Sequence, residues 1–141
     1  MEKKNFIWWV IFILLFVWQL PQNIVAIVML PFLGKRTLIR VDKYCFAFEA
    51  ENMSGGISLG NFIFLSSYSA KKEETILHEY GHVVDSHIMG PVYLLIIGIP
   101  SILNAAFGFT NCYYDWFPEK WANKHAGLKV DNKCRTYIPK K

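Results

Sequence analysis

The stretch His78-Glu79-Tyr80-Gly81-His82 determines how the rest of this 141-residue chain is interpreted. In an α-helix, residues at positions i and i+4 lie on one face. Two imidazoles at this spacing can bind one metal ion, and a carboxylate next to the first imidazole can reach a water molecule on that ion. The stretch therefore predicts a helix that carries His78 and His82 as metal ligands and Glu79 as a catalytic base.

The flanking sequence predicts where this helix begins and ends. Hydroxyl groups in residues 66–69 can cap it, and residues 71–74 supply a first turn. Gly90 and Pro91 predict the C-terminal end, because glycine and proline are common just beyond the last turn of a helix. Asp85 falls on the same face as the two histidines, and we interpret it, like His87, as a structural or surface group.

Short β-prone runs precede the helix. Residues 37–41 and 44–48 show partial alternation of apolar and polar side chains, which is typical of strands. Residues 57–66 predict another strand, with an interruption or bulge near Gly60. We therefore predict an α+β fold, in which a small antiparallel sheet packs on the helix that carries the motif.

The N-terminal sequence predicts a membrane anchor at residues 1–33. Hydrophobic residues make up 53% of the chain and aromatic residues 16%, which indicates membrane contact. A polar patch around Pro21 leaves two alternatives, one kinked helix or a pair of helices. Lysine and arginine flank the region on both sides, so a pair that returns both flanks to the cytoplasm is favoured over a single span. The basic flanking residues are Lys3, Lys4, Lys35, Arg36, Arg40 and Lys43.

Charge and cysteine content narrow the possible partners and the compartment. Fifteen basic against eleven acidic side chains give a net charge of +4, which favours anionic lipid headgroups. Nucleic acid is not predicted as a partner, because no basic helix or aromatic platform accompanies the charge. The three cysteines lack C-x-x-C spacing, so we predict reduced thiols in a cytoplasm-facing protein; a bridge between Cys112 and Cys134 is the alternative.

A catalytic zinc site needs three protein ligands and one open position. Glu119 is the candidate for the third ligand, and Asn123, one helical turn later, can accept a hydrogen bond from the ring N–H of a ligand histidine. If the apolar residues 92–109 crossed a bilayer, His82 and Glu119 would lie roughly 30 Å apart. Either Glu119 is not a ligand or the segment turns back, and Pro100, with Ser101 after it, predicts a break into a membrane-dipping helical hairpin or a buried helical pair.

These residues resemble the gluzincin metallopeptidases, in which a glutamate of a later helix is the third zinc ligand. The similarity consists of a strand, then H-E-x-x-H, then E-x-x-A-[DN], and it covers residues 57–123. The strand before the helix is similar to that of the integral-membrane gluzincins, a group that includes the CAAX-prenyl endopeptidases and the membrane heat-shock proteases. The small size also resembles that of minimal single-domain gluzincins. Asn123 departs from the pattern, because many gluzincins have aspartate there, which accepts a hydrogen bond more strongly.

The resemblance implies a zincin-like fold, a bound Zn²⁺ ion and an enzymatic activity. Residues 34–141 would form a minimal metallopeptidase domain, with a membrane-dipping segment at residues 92–109. The expected activity is that of a zinc-dependent endopeptidase at or near the membrane, with Glu79 as general base on the zinc-bound water. A peptide or protein substrate would pair with the strand at residues 57–66, beside the lipid bilayer. The candidate oxyanion donors are His125, Tyr113 and Tyr114.

An alternative function follows from the same residues. A non-catalytic membrane protein could keep the metal as a structural or vestigial site. Such a site needs His78 and His82 but not Glu79, so the presence of Glu79 favours the enzyme.

Overall fold

The computed structural model describes residues 2–140 and has an α+β fold. The five α-helices are α1 (Glu2–Trp18), α2 (Leu20–Met29), α3 (Glu73–Met89), α4 (Ile99–Phe107) and α5 (Phe117–Ala126). The six strands are β1 (Arg36–Asp42), β2 (Cys45–Ala50), β3 (Gly56–Leu59), β4 (Phe62–Leu65), β5 (Lys129–Val130) and β6 (Thr136–Tyr137). The structure does not describe Met1, where the predicted region 1–33 begins, or Lys141, where the predicted region 34–141 ends. It also does not describe the side chains of Lys3 and Lys4.

The main sheet is mixed, so the prediction of an antiparallel sheet is wrong. Its strand order is β1-β2-β4-β3, and β2 runs parallel to β4. Residues 57–66 also differ from the prediction, because they form the antiparallel hairpin β3–β4 and not one bulged strand. Gly60 has a φ of +63° in the turn of this hairpin, where a glycine is favoured. In this hairpin β4 lies between β2 and β3, and β4 runs in the same direction as β2.

One face of the sheet packs against α3. Tyr80 and Val83 of α3 are buried against Ile63 and Leu65 of β4, and Cys45 of β2 completes the contact. Burying a side chain of this size stabilises the fold by about 1.5–3 kcal/mol. This packing fixes α3 against β3 and β4, and the histidines of α3 therefore have a defined position relative to the sheet.

The N-terminal region consists of two helices and not one kinked helix. The helical segments Asn5–Trp18 and Leu20–Phe32 meet at an angle of 91°. A second bent pair, Glu73–Val92 with Leu94–Phe107, meets at 120°. Between residues 2 and 140, no single helix is both long and apolar enough to cross a membrane. Each of the two bent pairs, counted as one segment, meets the criterion by length and composition only.

Buried polar side chains join α2 to the rest of the fold. The Gln22 amide donates hydrogen bonds to Ser86 Oγ at 2.9 Å and to the Gly90 carbonyl oxygen at 2.8 Å. The Asn23 amide donates to Asn61 Oδ1 at 2.9 Å and accepts from the Asn61 backbone N–H at 2.8 Å. Gln22 and Asn23 are fully buried, so breaking these bonds would cost about 1–3 kcal/mol for each group left without a partner. The N-terminal helices therefore pack as part of the same unit as α3.

The segment at residues 92–109 turns back at a different residue than predicted. The bend lies between the Glu73–Val92 and Leu94–Phe107 segments, just after Gly90, and not at Pro100. Pro100 lies in the first turn of α4, directly after the π-helical turn Leu94–Gly98, and the chain continues as a helix through it. The segment is one helical run that begins with a π-helical turn and ends before Gly108, so the predicted helical hairpin is wrong.

A disulfide joins Cys112 to Cys134. It links the loop before α5 to the turn between β5 and β6, and α5 lies between the two cysteines in sequence. Cys45 is a buried free thiol. The structure thus has the bridge between Cys112 and Cys134 that was the alternative to reduced thiols, because the loop after α4 and the C-terminal hairpin bring the two side chains together.

Candidate metal centre

Three side chains from α3 and α5 converge on one point. Glu119 Oε2 lies 2.9 Å from His78 Nε2 and 3.2 Å from His82 Nε2. One ligand atom from each residue lies within 4.8 Å of the others. His78, His82 and Glu119 are at most 5% exposed. The structure therefore contains a buried His-His-Glu group that could hold a metal ion, and these are the three residues that the sequence predicted.

The close contact between α3 and α5 depends on Gly81, inside the H-E-x-x-H stretch. A Cβ atom at this position would overlap the backbone of Ala122 on α5. Ala122 is itself fully buried, so neither helix can give way. Glycine at position 81 thus lets α5 approach α3 closely enough for Glu119 to reach both histidines.

The orientation of His78 is fixed by Asn123. Asn123 Oδ1 lies 2.8 Å from His78 Nδ1. Since an amide oxygen only accepts hydrogen bonds, Nδ1 carries a proton, and Nε2 is the ring nitrogen that faces Glu119. Asn123 therefore lies where the sequence predicted it, and its contact selects the tautomer that metal binding requires.

The second histidine, His82, faces a carboxylate that the sequence analysis assigned to a structural or surface role. His82 Nδ1 lies 3.5 Å from Asp85 Oδ2, which is long for a hydrogen bond, and neither atom has a closer polar partner. The other oxygen of Asp85 lies 2.7 Å from His125 Nδ1. His125 lines a separate recess with Trp121 and Lys124, so the structure does not bring this candidate oxyanion donor together with Glu79.

Glu119 is positioned by a residue that the sequence analysis used only to place a chain break. The hydroxyl of Ser101, on α4, donates a hydrogen bond to Glu119 Oε1, and its oxygen lies 3.1 Å from Tyr113 Oη. Since Ser101 donates its only proton to Glu119, the Tyr113 hydroxyl is the donor to Ser101. The two carboxylate oxygens of Glu119 thus have separate partners, Ser101 for Oε1 and the two histidines for Oε2.

The charges of the group stabilise one another in the absence of a metal. Burial raises the pKa of Glu119, but the hydrogen bonds from His78 and His82 outweigh it and hold that pKa well below its usual range. Burial lowers the pKa of His82, but contacts with Asp85 and Glu119 outweigh it and raise the pKa to about 10. The group therefore binds a proton that a metal ion would have to displace.

Glu79 lies beside this group and borders a cavity. It is 6% exposed, and an added Cβ at Gly56 of β3 would come within 2.6 Å of its Oε1. Burial raises the pKa of Glu79; the neighbouring histidines lower it in part, and Glu119 raises it further. Glu79 is thus a buried carboxyl group whose affinity for a proton is increased, as a general base requires.

The cavity has a volume of about 400 Å³ and lies between β3, α2 and α4. Glu79, His82 and Tyr113 contribute polar side chains to its wall, as do Ser58 and Ser101. Tyr114 lies outside this wall, with the edge of its ring against His78 and a centroid distance of 5.3 Å. Of the three candidate oxyanion donors, Tyr113 is the one that shares the cavity with Glu79.

The donor set fits a divalent metal ion. Two imidazole nitrogens and one carboxylate oxygen are ligands that zinc accepts, and a catalytic zinc site keeps a fourth position open. The His78 tautomer leaves Nε2 free to bind, and Ser101 occupies the Glu119 oxygen that faces away from the histidines. The group therefore has the composition of a three-ligand site, whichever divalent ion it binds.

Similarity to known proteins does not identify the chain. No protein-family model, curated protein or solved structure matches it. The class that the structure defines is an α+β protein with a buried His-His-Glu group, and any function must be argued from that group.

Proposed function

We propose that this protein is a zinc-dependent endopeptidase of the gluzincin type that acts at or near a membrane. One observation carries the proposal: Glu79 lies beside the converging His78, His82 and Glu119 side chains, at the wall of an open cavity. A purely structural metal site needs no such carboxyl group next to a space that a substrate can enter.

The chain's own residues would divide the chemistry between them. His78, His82 and Glu119 would hold Zn²⁺, which polarises a carbonyl group and lowers the pKa of water to about 7 when it is bound. Glu79 accepts the proton of the attacking water as the new C–O bond forms, and later donates that proton to the leaving amine as the peptide C–N bond breaks. The raised pKa of Glu79 helps it to hold that proton between the two steps.

The substrate position follows from the sheet. β3 is an edge strand, so an extended peptide could pair with it, and that peptide would displace the hydrogen bond that the Ser58 carbonyl oxygen accepts from Tyr93 Oη at 3.5 Å. Gly56 and Ser58 of β3 also line the cavity that Glu79 borders. A peptide paired with β3 would therefore pass the candidate metal centre in an extended conformation, with Tyr113 in the cavity wall as the candidate oxyanion donor.

The membrane association is supported by the outer surfaces of α1, α2 and α4. Large apolar side chains on these helices are exposed, far beyond the isolated apolar residues of an ordinary surface. They include Phe6, Leu14, Val17, Val28 and Phe107. Lipid would cover these surfaces while the polar contacts of α2 hold the buried centre in place.

Purified protein in detergent tests the proposal. We expect about one zinc ion per chain, hydrolysis of unstructured protein substrates, and loss of hydrolysis with retained zinc in Glu79→Gln. Glu74→Gln, in the first turn of the same helix, is the matched control and should keep full activity. His78→Ala should lose zinc binding.

The alternative predicts a different result. If the metal is structural or vestigial, Glu79→Gln and the wild-type protein will both bind zinc and neither will hydrolyse a substrate. Negligible zinc in the wild-type protein would contradict both functions.

A further inference from the structure

The helix α2, which the sequence predicts as membrane anchor, also lines the cavity beside Glu79. Val25 and Met29 of α2 contribute to the cavity wall, together with Ile99, Ile102 and Ala105 of α4. An anchor that only tethered a catalytic domain would have no reason to border its substrate space. The position of α2 therefore indicates a second role for the N-terminal helices.

The wall that α2 provides is held in a fixed position. The buried side chains of Gln22 and Asn23 bond to residues of α3 and of the β3–β4 turn, and Trp18 Nε1 donates to the His87 carbonyl oxygen at 3.0 Å. Gly60 and Gly90 leave the space that Asn23 and Trp18 fill, because a Cβ at either glycine would overlap those side chains. A cavity with a fixed wall can select an occupant by its shape.

The chemistry of the wall defines the occupant. The side facing α2 and α4 is aliphatic apart from Ser101, whose hydroxyl donates to Glu119, and no lysine or arginine lines the cavity in the described part of the chain. A charged side chain would lose its hydration there without gaining a partner. The other end is polar: besides Glu79 and His82, Ser58 Oγ is buried and has no hydrogen-bond partner. The occupant must therefore be apolar on one side and carry polar backbone groups on the other.

We propose that α2 and α4 form a specificity pocket for a large apolar side chain next to the scissile bond of an extended peptide. A peptide paired with β3 presents both parts, because its backbone meets the polar end while a side chain enters the aliphatic end. A lipid acyl chain would fill the aliphatic end but would leave Ser58 Oγ without a partner. The inference rests on the proposed function, since the metal centre defines where the scissile bond lies.

Binding of two hydroxamates to the zinc-loaded protein tests the pocket without any need for activity. Acetohydroxamate presents only the metal-binding group, whereas 3-phenylpropanohydroxamate adds an apolar arm. Because a buried phenyl group contributes about as much as a buried phenylalanine side chain, we expect the second compound to bind roughly tenfold more tightly or better. Isothermal titration calorimetry measures both affinities in the same detergent.

Two valines of α2 provide a matched pair of variants. Val25→Trp should fill the pocket and remove the advantage of the phenyl arm, while acetohydroxamate binds as before. Val28→Trp changes a 61% exposed residue of the same helix and should leave both affinities unchanged. Ala105→Trp and Ala106→Trp repeat the comparison on α4, so the test does not depend on the folding of a single variant.

Each outcome bears on the inference in a defined way. Equal affinities of the two compounds for the wild-type protein, or equal losses in Val25→Trp and Val28→Trp, would overturn it. So would displacement of both compounds by a fatty acid, because lipid would then be the occupant. If the wild-type protein binds no zinc, the proposed function and the pocket fail together. If zinc and acetohydroxamate bind but the apolar arm adds nothing, only the pocket fails.

Discussion

At the scale of single residues, the two ligand histidines are oriented by different partners. Neutral Asn123 accepts from His78, whereas Asp85 faces His82 and is itself bonded to His125. In the gluzincin pattern that the sequence resembles, an aspartate is common where this chain has Asn123. The negative charge behind the histidines is thus present here, but it lies behind His82. Although Asn123 stands where an aspartate is common, the pair His78 and His82 therefore still has a carboxylate beside it, that of Asp85.

Ser101 provides a prediction about the third ligand. Ser101→Ala removes the donor to Glu119 Oε1 and leaves a buried carboxylate oxygen with one partner fewer. We expect zinc affinity to fall by about tenfold, since loss of an outer-shell partner commonly costs 10–100-fold. Competition with a chromophoric chelator measures the affinity. Ser101→Thr keeps the hydroxyl and is the control; unchanged affinity in Ser101→Ala would show that Glu119 needs no such support.

The charges of His82 and Glu119 predict the pH dependence of the metal-free protein. The pKa of His82 is raised to about 10, so its stabilisation is complete below the unfolded value of 6.5 and is lost as pH rises through about 10. The pKa of Glu119 is lowered, so its stabilisation is present above the unfolded value of 4.5 and is lost at lower pH. The metal-free protein should therefore be most stable between about pH 4.5 and 6.5.

Thermal unfolding with a chelator present, at pH values from 4 to 9.5, measures this profile. His82→Gln should flatten the decline above pH 6.5, because glutamine does not titrate. A metal-free protein whose melting temperature rises from pH 6.5 to 9.5 would contradict the charge arrangement. Saturating zinc should reduce the decline, because a bound ion replaces the proton on His82.

At the scale of elements, the features set by local sequence were the predictable ones. The end of α3 at Met89 agrees with the prediction, because Gly90 and Pro91 act within one turn of it. The i, i+4 spacing of the histidines and the single-turn spacing of Glu119 and Asn123 also depend on helical geometry alone. These local rules were enough to identify the residues that converge at the candidate centre.

The wrong predictions concern partners far apart in sequence. Gly60 fits a bulge and a hairpin turn equally well, and only the pairing of β4 with β2 separates the two. Pro100 fits a chain break and a first helical turn equally well, so the bend after Gly90 was missed. The contacts of Ser101 with Glu119 and of Asp85 with His125 are also non-local. The contact of Asp85 with His82 is local, and its one-turn spacing was an available signal.

The disulfide leads to a prediction about α5. The bond between Cys112 and Cys134 closes a loop that contains α5, and a loop of about twenty residues is stabilised by about 3 kcal/mol relative to the open chain. The double variant Cys112→Ser with Cys134→Ser should therefore unfold at a lower temperature and bind zinc more weakly, because α5 carries Glu119. Calorimetry and chelator competition measure the two effects. Cys45→Ser, outside the loop, is the control.

At the scale of the whole molecule, the apolar exterior and the buried polar centre share the same helices. α2 exposes Val28 and Ile24, presents Val25 to the cavity, and uses Gln22 and Asn23 to hold α3 and the β3–β4 turn. Removing the N-terminal helices should therefore disrupt the centre as well as membrane association.

The basic flanks of the N-terminal helices and the disulfide between Cys112 and Cys134 predict opposite orientations of the molecule in a membrane. Basic residues on both sides of the N-terminal pair predict that the flanks face the cytoplasm. A disulfide persists in an oxidising compartment, however, and the cytoplasm keeps thiols reduced. We expect the disulfide to be formed in cells, because the fold brings the two cysteines together whether or not the flanking charges are satisfied. The part of the chain that contains α5 would then face an oxidising compartment.

Gel-shift labelling of the three cysteines distinguishes the two orientations. Cells lysed in denaturant with a bulky maleimide should give one label per chain, on Cys45, and three labels when the sample is reduced first. Cys45→Ser should give none and then two, which assigns the single free thiol. Three labels without reduction would mean that Cys112 and Cys134 are reduced in the cell. The basic flanks would then decide the orientation, and α5 would face the cytoplasm.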